Sequence, residues 1–383
     1  MTSITDDDAY ERERSVAEAA VLRAALLTNK VQSSVRTISK EDKSPVTVAD
    51  FAAQALLIAA LRQAFPDDGF LGEEDADQLR RDPGLVSSVY GLVSSPPAVA
   101  RPDVNRPGGK RDGRREGEGE GSLLLASPTS VEDTLSLIDM GGRGEGGPQG
   151  RFWVMDPVDG TKTFLRRQQY AVSLALIEDG REVVGVLCCP NLRVGDDGRV
   201  REDAVDEHGL GVMLSAVRGR GVSVRDLSTI EPPKAEGADA DAVVVYGLPA
   251  PEPLARLVAT EDVSRLHVVD SPLSTAIRHD VVHRLAAQVG APYPGTDVWS
   301  SHMRYAALIL GGADCQVRVP AERRNADGSP APPPNVCIWD HAGAQLIFSE
   351  AGGVIRDLDG LPINFGAGRY LSSNRDKEKK QFC

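Results

Sequence analysis

Residues 153–164 hold two aspartates at a spacing that could bind a metal ion. The stretch reads Trp-Val-Met-Asp-Pro-Val-Asp-Gly-Thr-Lys-Thr-Phe. Its first residues are typical of the end of a buried strand, and Pro157 stiffens the backbone between Asp156 and Asp159. Two carboxylates held this close repel each other unless a cation lies between them, and hard divalent ions such as Mg²⁺ take oxygen ligands of this kind. We therefore expect a divalent metal here.

The two residues after Asp159 could bind an anion. Gly160 permits a tight turn into a helix, and the backbone N–H groups of Gly160 and Thr161 would lie near the helix N-terminus, where negative charge is favoured. A metal ion next to a phosphate group accounts for both features. Asp-Gly is also a common turn dipeptide and Asp a common N-cap, so the motif alone is explained by turn chemistry as well.

Three further acidic residues could join this site. Glu73 follows an apolar stretch and could turn inward, although a charged loop in water explains it too. Asp340, in a Trp-Asp-His sequence, could bind metal or act as the N-cap of the next helix. Asp50 could take part in the chemistry or complete a capping box that begins at Thr47. Each residue taken alone leaves both alternatives open.

The helices and strands around these acids determine whether they can meet. In the first half, apolar periodicity predicts two helices and then three strands, at residues 9–31, 47–65, 170–177, 182–189 and 212–217. Thr47 opens the second helix, and an Asp179-Gly180 turn joins the first two strands as a hairpin. The second half alternates strands and helices, at residues 242–246, 275–289, 302–310, 315–319 and 340–350. This alternation favours an α/β fold.

The length of 383 residues predicts two domains. We place the boundary in the linker at residues 231–238, with an N-terminal α+β domain at 1–235 and a C-terminal α/β domain at 236–383. Residues 96–121 are rich in Pro, Gly, Arg and Glu, which predicts a disordered insertion. The Pro-rich residues 322–334 predict a second, flexible one.

Composition excludes several classes of protein. The formal net charge of −13 argues against a nucleic-acid-coating surface, and an anionic ligand would need metal ions or a local basic pocket. No apolar run is long enough to span a bilayer, and the acidic N-terminus lacks the features of a signal or transit peptide. We expect a cytoplasmic or nuclear monomer that acts on a small molecule. Of the five cysteines, Cys188 and Cys189 lie in an apolar run and Cys315 follows one, which favours reduced core thiols over a disulfide framework, and no Cys/His spacing resembles a zinc site.

The acids and their neighbouring residues, taken in order, resemble a known family. Four ordered motifs carry the resemblance: Ser-Pro-Val-Thr-Val-Ala-Asp50, Gly-Glu73-Glu, Asp156-Pro-Val-Asp159-Gly-Thr161 and Trp-Asp340-His-Ala-Gly. Together they look like the lithium-sensitive, metal-dependent phosphatases of the inositol monophosphatase superfamily. Within it, residues 159–166, 170–177, 189–192 and 217–219 are most similar to the 3'(2'),5'-bisphosphate nucleotidases. The resemblance runs from about residue 10 to residue 371.

This resemblance implies a fold, a cofactor and a role for each motif residue. The fold would be a layered αβαβα sandwich, and the cofactor would be two or three Mg²⁺ ions. Glu73, Asp156, Asp159 and Asp340 would be metal ligands together with the carbonyl of Val158. Asp50 and Thr161 would orient and deprotonate the attacking water. The substrate would contact Gly160, Thr161, Ser301, Arg304 and Arg318.

The implied reaction is hydrolysis of adenosine 3',5'-bisphosphate to AMP and phosphate, with the sulfated adenylate as a further substrate. The resemblance also implies links to sulfur assimilation and salt tolerance. One alternative is an inositol (poly)phosphate 1-phosphatase that shares the metal site, and another is a catalytically silent nucleotide-binding scaffold. The sequence departs from the family in two places. It has no histidine at residues 270–273, where the nucleotidases carry Ser-Ser-His-Asp, and it ends in a charged tail at 376–383.

Overall fold

The structure is a computed structural model. It describes residues 9–34, 44–99, 124–231, 245–272, 274–321, 323–324, 327, 329–331 and 335–371. The predicted linker beyond residue 231, most of the insertion predicted at 96–121 and the charged tail lie outside these ranges.

A seven-stranded sheet forms the centre of the described protein, in the order β1-β3-β4-β5-β6-β7-β9. The strands are β1 (Gly69–Gly72), β2 (Ala98–Val99), β3 (Arg151–Asp159), β4 (Ala171–Glu178), β5 (Arg181–Cys189), β6 (Val212–Val217), β7 (Val222–Asp226), β8 (Val245–Tyr246), β9 (Glu252–Pro253), β10 (Val269–Asp270), β11 (Thr296–Asp297), β12 (Arg323–Arg324) and β13 (Pro330–Ala331). β1 pairs with β3 in parallel, and the other pairs of this sheet are antiparallel. Asp179 and Gly180 both have positive φ, which suits the predicted hairpin turn between β4 and β5.

Helices cover both faces of the sheet. They are α1 (Glu11–Ser34), α2 (Ser44–Ala64), α3 (Asp77–Arg81), α4 (Pro83–Val93), α5 (Val131–Gly142), α6 (Thr161–Leu165), α7 (His279–Val289), α8 (Ser301–Ile309) and α9 (Ala342–Glu350). α1 and α2 pack on one face, and α8 and α9 pack on the other. α8 also contacts β10, which pairs with β11 and receives a hydrogen bond from α7. This order of layers confirms the predicted α/β sandwich.

The apolar core continues across the predicted boundary at residue 235. One cluster joins Leu187 and Leu214 of the sheet to Met303 of α8 and Leu346 of α9. The two predicted domains therefore share this cluster, and the division between them stays a prediction. None of the helices in the described part of the chain has the length and apolar character that a bilayer-crossing segment requires.

Helix α9 lies unusually close to the sheet, and two glycines allow this approach. A Cβ atom on Gly185 of β5 would lie 2.5 Å from the carbonyl oxygen of Gly343 in α9. A Cβ atom on Gly343 would in turn lie 2.9 Å from the carbonyl oxygen of Leu174 in β4. Backbone-to-backbone packing thus fixes the start of α9, and with it the preceding Asp340, against the sheet.

Several boundaries differ from the prediction. α2 begins at Ser44 and not at Thr47, because Pro45 is tolerated in the first turn of a helix, where its missing N–H is not needed. The strand predicted at 315–319 is reduced to one isolated bridge between Cys315 and Val268. The two insertions were drawn too widely: β2 lies inside residues 96–121 and pairs with β8, and β12 pairs with β13 inside residues 322–334.

Candidate metal and phosphate site

The site is centred on an irregularity at the end of β3. The register between β3 and β4 shifts between Asp156 and Asp159, so that Pro157 and Val158 together lie opposite Val172 alone. A bulge of this kind bends a strand and leaves backbone groups outside the regular ladder. It brings two aspartates to one edge of the sheet and explains how the carbonyl of Val158 could serve as a ligand.

Gly160 turns the chain from this bulge into α6. It has φ +105°, a conformation in which a side chain is strained, and a Cβ atom there would lie 2.8 Å from Thr163 Oγ1. Thr161 then begins the helix and is exposed. Among the described residues, Thr161 and Asp50 are not hydrogen-bonded to each other, and Asp50 Oδ1 has no partner. Their joint role in positioning water stays a prediction.

The start of α8 is hydrogen-bonded to Asp159. Ser300 Oγ and the backbone N–H of His302 both donate to Asp159 Oδ2, each at 2.6 Å. Ser300 is also the N-cap of α8 and accepts from the N–H of Met303 at 3.1 Å. This contact places residues of the second half of the chain directly beside the two aspartates.

The loop that carries Glu73 is held by Gln54, which lies one turn beyond Asp50 in α2. Gln54 Nε2 donates to the carbonyl oxygen of Glu74 at 2.6 Å, and Gln54 Oε1 accepts from the N–H of Glu74 at 3.1 Å. A Cβ atom on Gly72 would lie 2.4 Å from Gln54 Oε1, so a side chain there would displace the Gln54 amide. The helix of Asp50 and the loop of Glu73 are thereby fixed to each other.

Arg369 joins the loop of Glu73 to the segment of Asp340. Its Nη2 donates to the carbonyl oxygen of Gly72 at 3.1 Å and its Nη1 to that of Gly144 at 2.7 Å. Its guanidinium carbon lies 4.8 Å from the centroid of the Trp339 ring. Sequence reasoning missed this residue, because the three contacts come from distant parts of the chain.

Asp340 does not cap α9. It ends a short 3-10 helix, Ile338–Asp340, and the residue at the N-cap position is His341, which makes no side-chain capping bond. Asp50 does not lie three residues after a helix start either, since α2 begins earlier. The capping explanations for both acids are therefore wrong, and both carboxylates are left for another purpose.

The charges of four acids act on the fifth, Asp156. Asp156 is 2% exposed and Asp50 is 6% exposed, and in each the Oδ1 atom is buried without a hydrogen-bond partner. Burial raises the pKa of Asp156 well above its usual value, and the charges of Glu73, Asp159, Asp340 and Asp50 raise it further. A bound cation would relieve both causes.

The other acids are perturbed in the same direction. Burial, and then the charges of Glu74 and Glu73, raise the pKa of Asp50. Burial and the charges of Asp159 and Glu73 raise the pKa of Asp340 to about 7, against an opposing effect of Arg318. Glu73 is exposed as a whole residue, yet partial desolvation of its carboxyl and the charges of Glu74 and Asp159 raise its pKa to about 7.

One imidazole belongs to this cluster. A ring nitrogen of His302 and one carboxylate oxygen each of Asp156 and Asp159 lie within 4.8 Å of one another. His302 Nε2 lies 2.9 Å from the carbonyl oxygen of Trp339, and His302 Nδ1 is buried without a partner. Sequence reasoning did not select His302, although its position beside Ser301 was the available signal.

Three of the five predicted substrate residues, Ser301, Arg304 and Arg318, come from the second half of the chain and differ in their free hydrogen-bonding groups. Arg304 is buried, and its Nη1 donates to the carbonyl oxygens of Val298 at 2.9 Å and Trp299 at 2.7 Å. Its Nη2 donates to Ser301 Oγ at 3.1 Å. Arg318 instead keeps a buried Nη1 without a hydrogen-bond partner. Of the three, Arg318 is the cation best placed to accept an anion.

Two cationic side chains lie over the aromatic ring of Trp299, next to these residues. Lys162 Nζ and Arg166 Cζ of the α6 region lie 5.6 Å and 5.7 Å from the centroid of the Trp299 ring. The sequence search missed Trp299 because nothing in its spacing marks it. His279, in contrast, has both ring nitrogens occupied, by Asp270 Oδ2 at 3.0 Å and by the carbonyl oxygen of Ser274 at 2.9 Å.

Comparisons with known proteins place the chain. Residues 125–383 match the inositol monophosphatase family. A 3'(2'),5'-bisphosphate nucleotidase of Emericella nidulans is 37% identical over 372 residues, which cover 96% of this chain and 93% of the relative. The 3'(2'),5'-bisphosphate nucleotidase of Schizosaccharomyces pombe is 34% identical over 95% of this chain and 90% of its own length.

A solved structure supports the fold. CysQ from Bacteroides thetaiotaomicron, a bacterial member of the inositol monophosphatase family, is 16% identical to this chain and superimposes with a TM-score of 0.50. The match covers 95% of this chain and 97% of that one. The sequence matches and the shared fold lead to one conclusion: this chain belongs to the inositol monophosphatase family.

Proposed function

We propose that this protein hydrolyses the 3'-phosphate of adenosine 3',5'-bisphosphate, with release of AMP and inorganic phosphate, and that the sulfated adenylate is a second substrate. The observation that carries a hydrolytic role is that the charges of four other carboxylates act on the buried carboxyl of Asp156, whose Oδ1 has no hydrogen-bond partner. The choice of substrate rests on relatives that are named bisphosphate nucleotidases and that this chain matches over nearly their whole length. Such an activity would connect the protein to sulfur assimilation and salt tolerance.

The donor set fits divalent cations. Asp50 and Asp156 each present a buried oxygen with no hydrogen-bond partner, and such atoms are costly unless something binds them. Carboxylate oxygens suit Mg²⁺, so we assign Glu73, Asp156, Asp159 and Asp340 as ligands with the Val158 carbonyl. Two or three Mg²⁺ ions would supply a nucleophile at neutral pH and neutralise the phosphate oxygens. Competition by Li⁺ at this site is part of the proposal.

The protein groups would then divide the remaining work. Asp50 would accept the proton of the attacking water, because its Oδ1 is buried without a hydrogen-bond partner and burial, with the charges of Glu74 and Glu73, raises its pKa. Thr161 would orient that water from the start of α6. The N–H groups of Gly160 and Thr161 and the guanidinium of Arg318 would hold the phosphate. No covalent phospho-enzyme is required.

Local cations would offset the repulsion between the negatively charged protein and its substrate. The chain carries a formal charge of −13, which repels a bisphosphate at long range. Lys162, Arg166 and Arg318 place positive charge at the site, and Trp299 offers an aromatic face. We propose that these side chains bind the nucleotide. The inositol phosphate alternative is less favoured, because the relatives act on bisphosphate nucleotides by name.

A phosphate-release assay tests the proposal. The full chain is incubated with adenosine 3',5'-bisphosphate, the sulfated adenylate, inositol 1,4-bisphosphate and AMP, with Mg²⁺ or with EDTA. We expect Mg²⁺-dependent release from the first two and inhibition by Li⁺. Arg318→Gln should lower kcat/KM for the bisphosphate about 100-fold. A hydrogen bond from a charged group contributes about 1.5–3 kcal/mol, and a 100-fold loss lies within that range. Arg201→Gln, which removes an exposed arginine paired with Asp197, is the matched control.

Two results would contradict the proposal. A clear preference for inositol 1,4-bisphosphate would transfer the protein to the inositol phosphatases of the same family. Equal loss of activity in the Arg201 and Arg318 variants would mean that Arg318 acts only through the general charge of the protein.

A further inference from the structure

We infer that His302 is a nitrogen ligand of the metal centre and that its Nδ1 atom gives this site a stronger preference for Mn²⁺ over Mg²⁺ than carboxylates alone would give. The inference rests on the metal centre of the proposed function and adds to it a ligand of a different chemical class. It concerns which metal ion the protein binds, so it can be measured without any substrate.

The hydrogen bond of the other ring nitrogen fixes the tautomer. His302 Nε2 lies 2.9 Å from the carbonyl oxygen of Trp339, and a carbonyl oxygen can only accept. Nε2 must therefore carry the proton. In a neutral ring this leaves Nδ1 with a free lone pair, which is the form of imidazole that binds metal ions.

The ring that carries this lone pair lies beside the two aspartates. The His302 side chain is fully buried, its Nδ1 has no hydrogen-bond partner, and Asp156 Oδ1 has none either. A ring nitrogen and the two carboxylates lie within 4.8 Å of one another. Ligand atoms about 2.1 Å from one ion lie up to roughly 4.2 Å apart, so a shift of a few tenths of an ångström at each side chain closes the shell. One cation would satisfy both unpaired atoms.

The backbone around His302 supports this arrangement. The N–H of His302 and the hydroxyl of Ser300 occupy Oδ2 of Asp159, which leaves the other oxygen of that carboxylate for a cation. The Trp339 carbonyl that binds Nε2 belongs to the residue before Asp340. A metal-binding histidine characteristically donates its second N–H to such a carbonyl, which fixes the orientation of the ring.

The chemical consequence is metal preference. Mg²⁺ favours oxygen donors, whereas imidazole nitrogen suits first-row transition ions. Mn²⁺ accepts both donor types and is paramagnetic, which makes it the probe of choice. With His302 in the shell, Mn²⁺ should gain affinity relative to Mg²⁺.

The test is electron spin-echo envelope modulation on the full-length protein loaded with Mn²⁺. Wild type should show ¹⁴N modulation from a bound imidazole, and His302→Gln should lose it. Glutamine can still donate to the Trp339 carbonyl through its amide but places no atom at Nδ1. The control is His208→Gln, which removes an exposed imidazole and should keep the modulation. In parallel titrations, His302→Gln should lower the ratio of Mn²⁺ to Mg²⁺ affinity about 10-fold.

The outcomes separate the inference from the proposed function. Absence of ¹⁴N modulation in wild type that binds Mn²⁺, or its persistence in His302→Gln, would overturn the inference and leave the carboxylate centre intact. Failure of wild type to bind Mn²⁺ or Mg²⁺ at all would contradict the proposed function itself. If circular dichroism shows that His302→Gln does not fold, His302→Asn takes its place. Its amide oxygen lies where Nδ1 was, so Mn²⁺ should bind without the ¹⁴N signal.

Discussion

Asp156 is the acid on which the charges of the four other acids of the site act. It is buried at the end of β3. A native protein tolerates such a group when a ligand compensates for it, and strain of this kind is concentrated at functional sites. Without metal, this buried carboxylate should therefore lower the free energy of unfolding of the protein.

Replacement of Asp156 by asparagine should reveal that loss. The folded-state pKa of Asp156, and of Glu73 and Asp340 at about 7, lies above the ordinary carboxyl value near 4. Stability from such groups is complete below about pH 4 and falls as pH rises through the folded pKa. In EDTA at pH 8, Asp156→Asn should thus melt at least about 2 °C higher than wild type, and the gain should shrink toward pH 5.

Thermal unfolding with and without metal measures this effect. Saturating Mg²⁺ should reverse the order, because only wild type gains full stabilisation from binding, and Asp156→Asn should have no phosphatase activity. Asp359→Asn, a change of an exposed carboxylate, should leave both the melting temperature and the activity unchanged. A mutant at residue 156 that melts lower than wild type in EDTA at pH 8 would show that the carboxylate is stabilising.

At this scale the sequence singled out five acids, whose roles at the site stay predictions, and it did not single out His302 or Trp299. Asp50, Glu73, Asp156, Asp159 and Asp340 occur in recognisable motifs, and the structure brings their charges together. His302 and Trp299 were missed, because their roles depend on which atoms remain unpaired after folding. The sequence likewise did not predict that Arg304 donates to the carbonyl oxygen of Val298, just before its own helix.

The elements of the fold followed from local patterns wherever the pattern was long. α1, α2 and the β4–β5 hairpin were predicted within a few residues, because apolar periodicity and an Asp-Gly turn define them locally. The strand expected at 315–319 was wrong, since a short apolar run does not specify a pairing partner. The loops around the site are fixed by long-range contacts such as those of Arg369.

Loss of the Arg369 guanidinium should loosen two ligand segments at once. Arg369→Met keeps the apolar stem but removes the donors to Gly72 and Gly144 and the contact with the Trp339 ring. A hydrogen bond from a charged group contributes about 1.5–3 kcal/mol, so we expect a loss of about 2–4 kcal/mol in unfolding free energy. Metal affinity should fall about 10-fold, because Glu73 and Asp340 are no longer held together.

Denaturant titration and calorimetric metal binding test this positioning role. Arg356→Met is the control, since Arg356 is exposed and its Nη1 donates to the carbonyl oxygen of the neighbouring Ile355. A purely structural residue would lower stability and leave the metal affinity of the folded protein unchanged. That result would remove Arg369 from the site.

For the whole molecule, one sheet carries residues from both halves of the chain. Asp50, Glu73, Asp156 and Asp159 come from α2, the loop after β1, and β3, whereas Asp340 comes from the segment before α9. α8 and α9 pack directly on strands β4 to β6, so the two halves of the chain meet on this sheet. The family resemblance implied the layered fold but not this shared core, in which Gly185 and Gly343 allow the close approach of α9.

The insertion predicted at residues 96–121 gives the last test. Its first residues are structured: Ala98 and Val99 pair with Val245 and Tyr246, and Val99 is buried in the core beside α1. Replacement of residues 101–120 by a short Gly-Ser linker should therefore leave turnover within about two-fold and the melting temperature unchanged, as expected for a surface insertion.

Deletion of the whole range from 96 to 121 should behave differently. It removes β2 and exposes the core that Val99 covers, which would cost about 1.5–3 kcal/mol for that side chain alone. Both variants retain every residue assigned to the metal centre, so any difference in melting temperature between them reports on β2. A large loss of turnover in the shorter deletion would instead mean that residues 101–120 take part in the function, because the sheet, the helices and the five acids would all be unchanged.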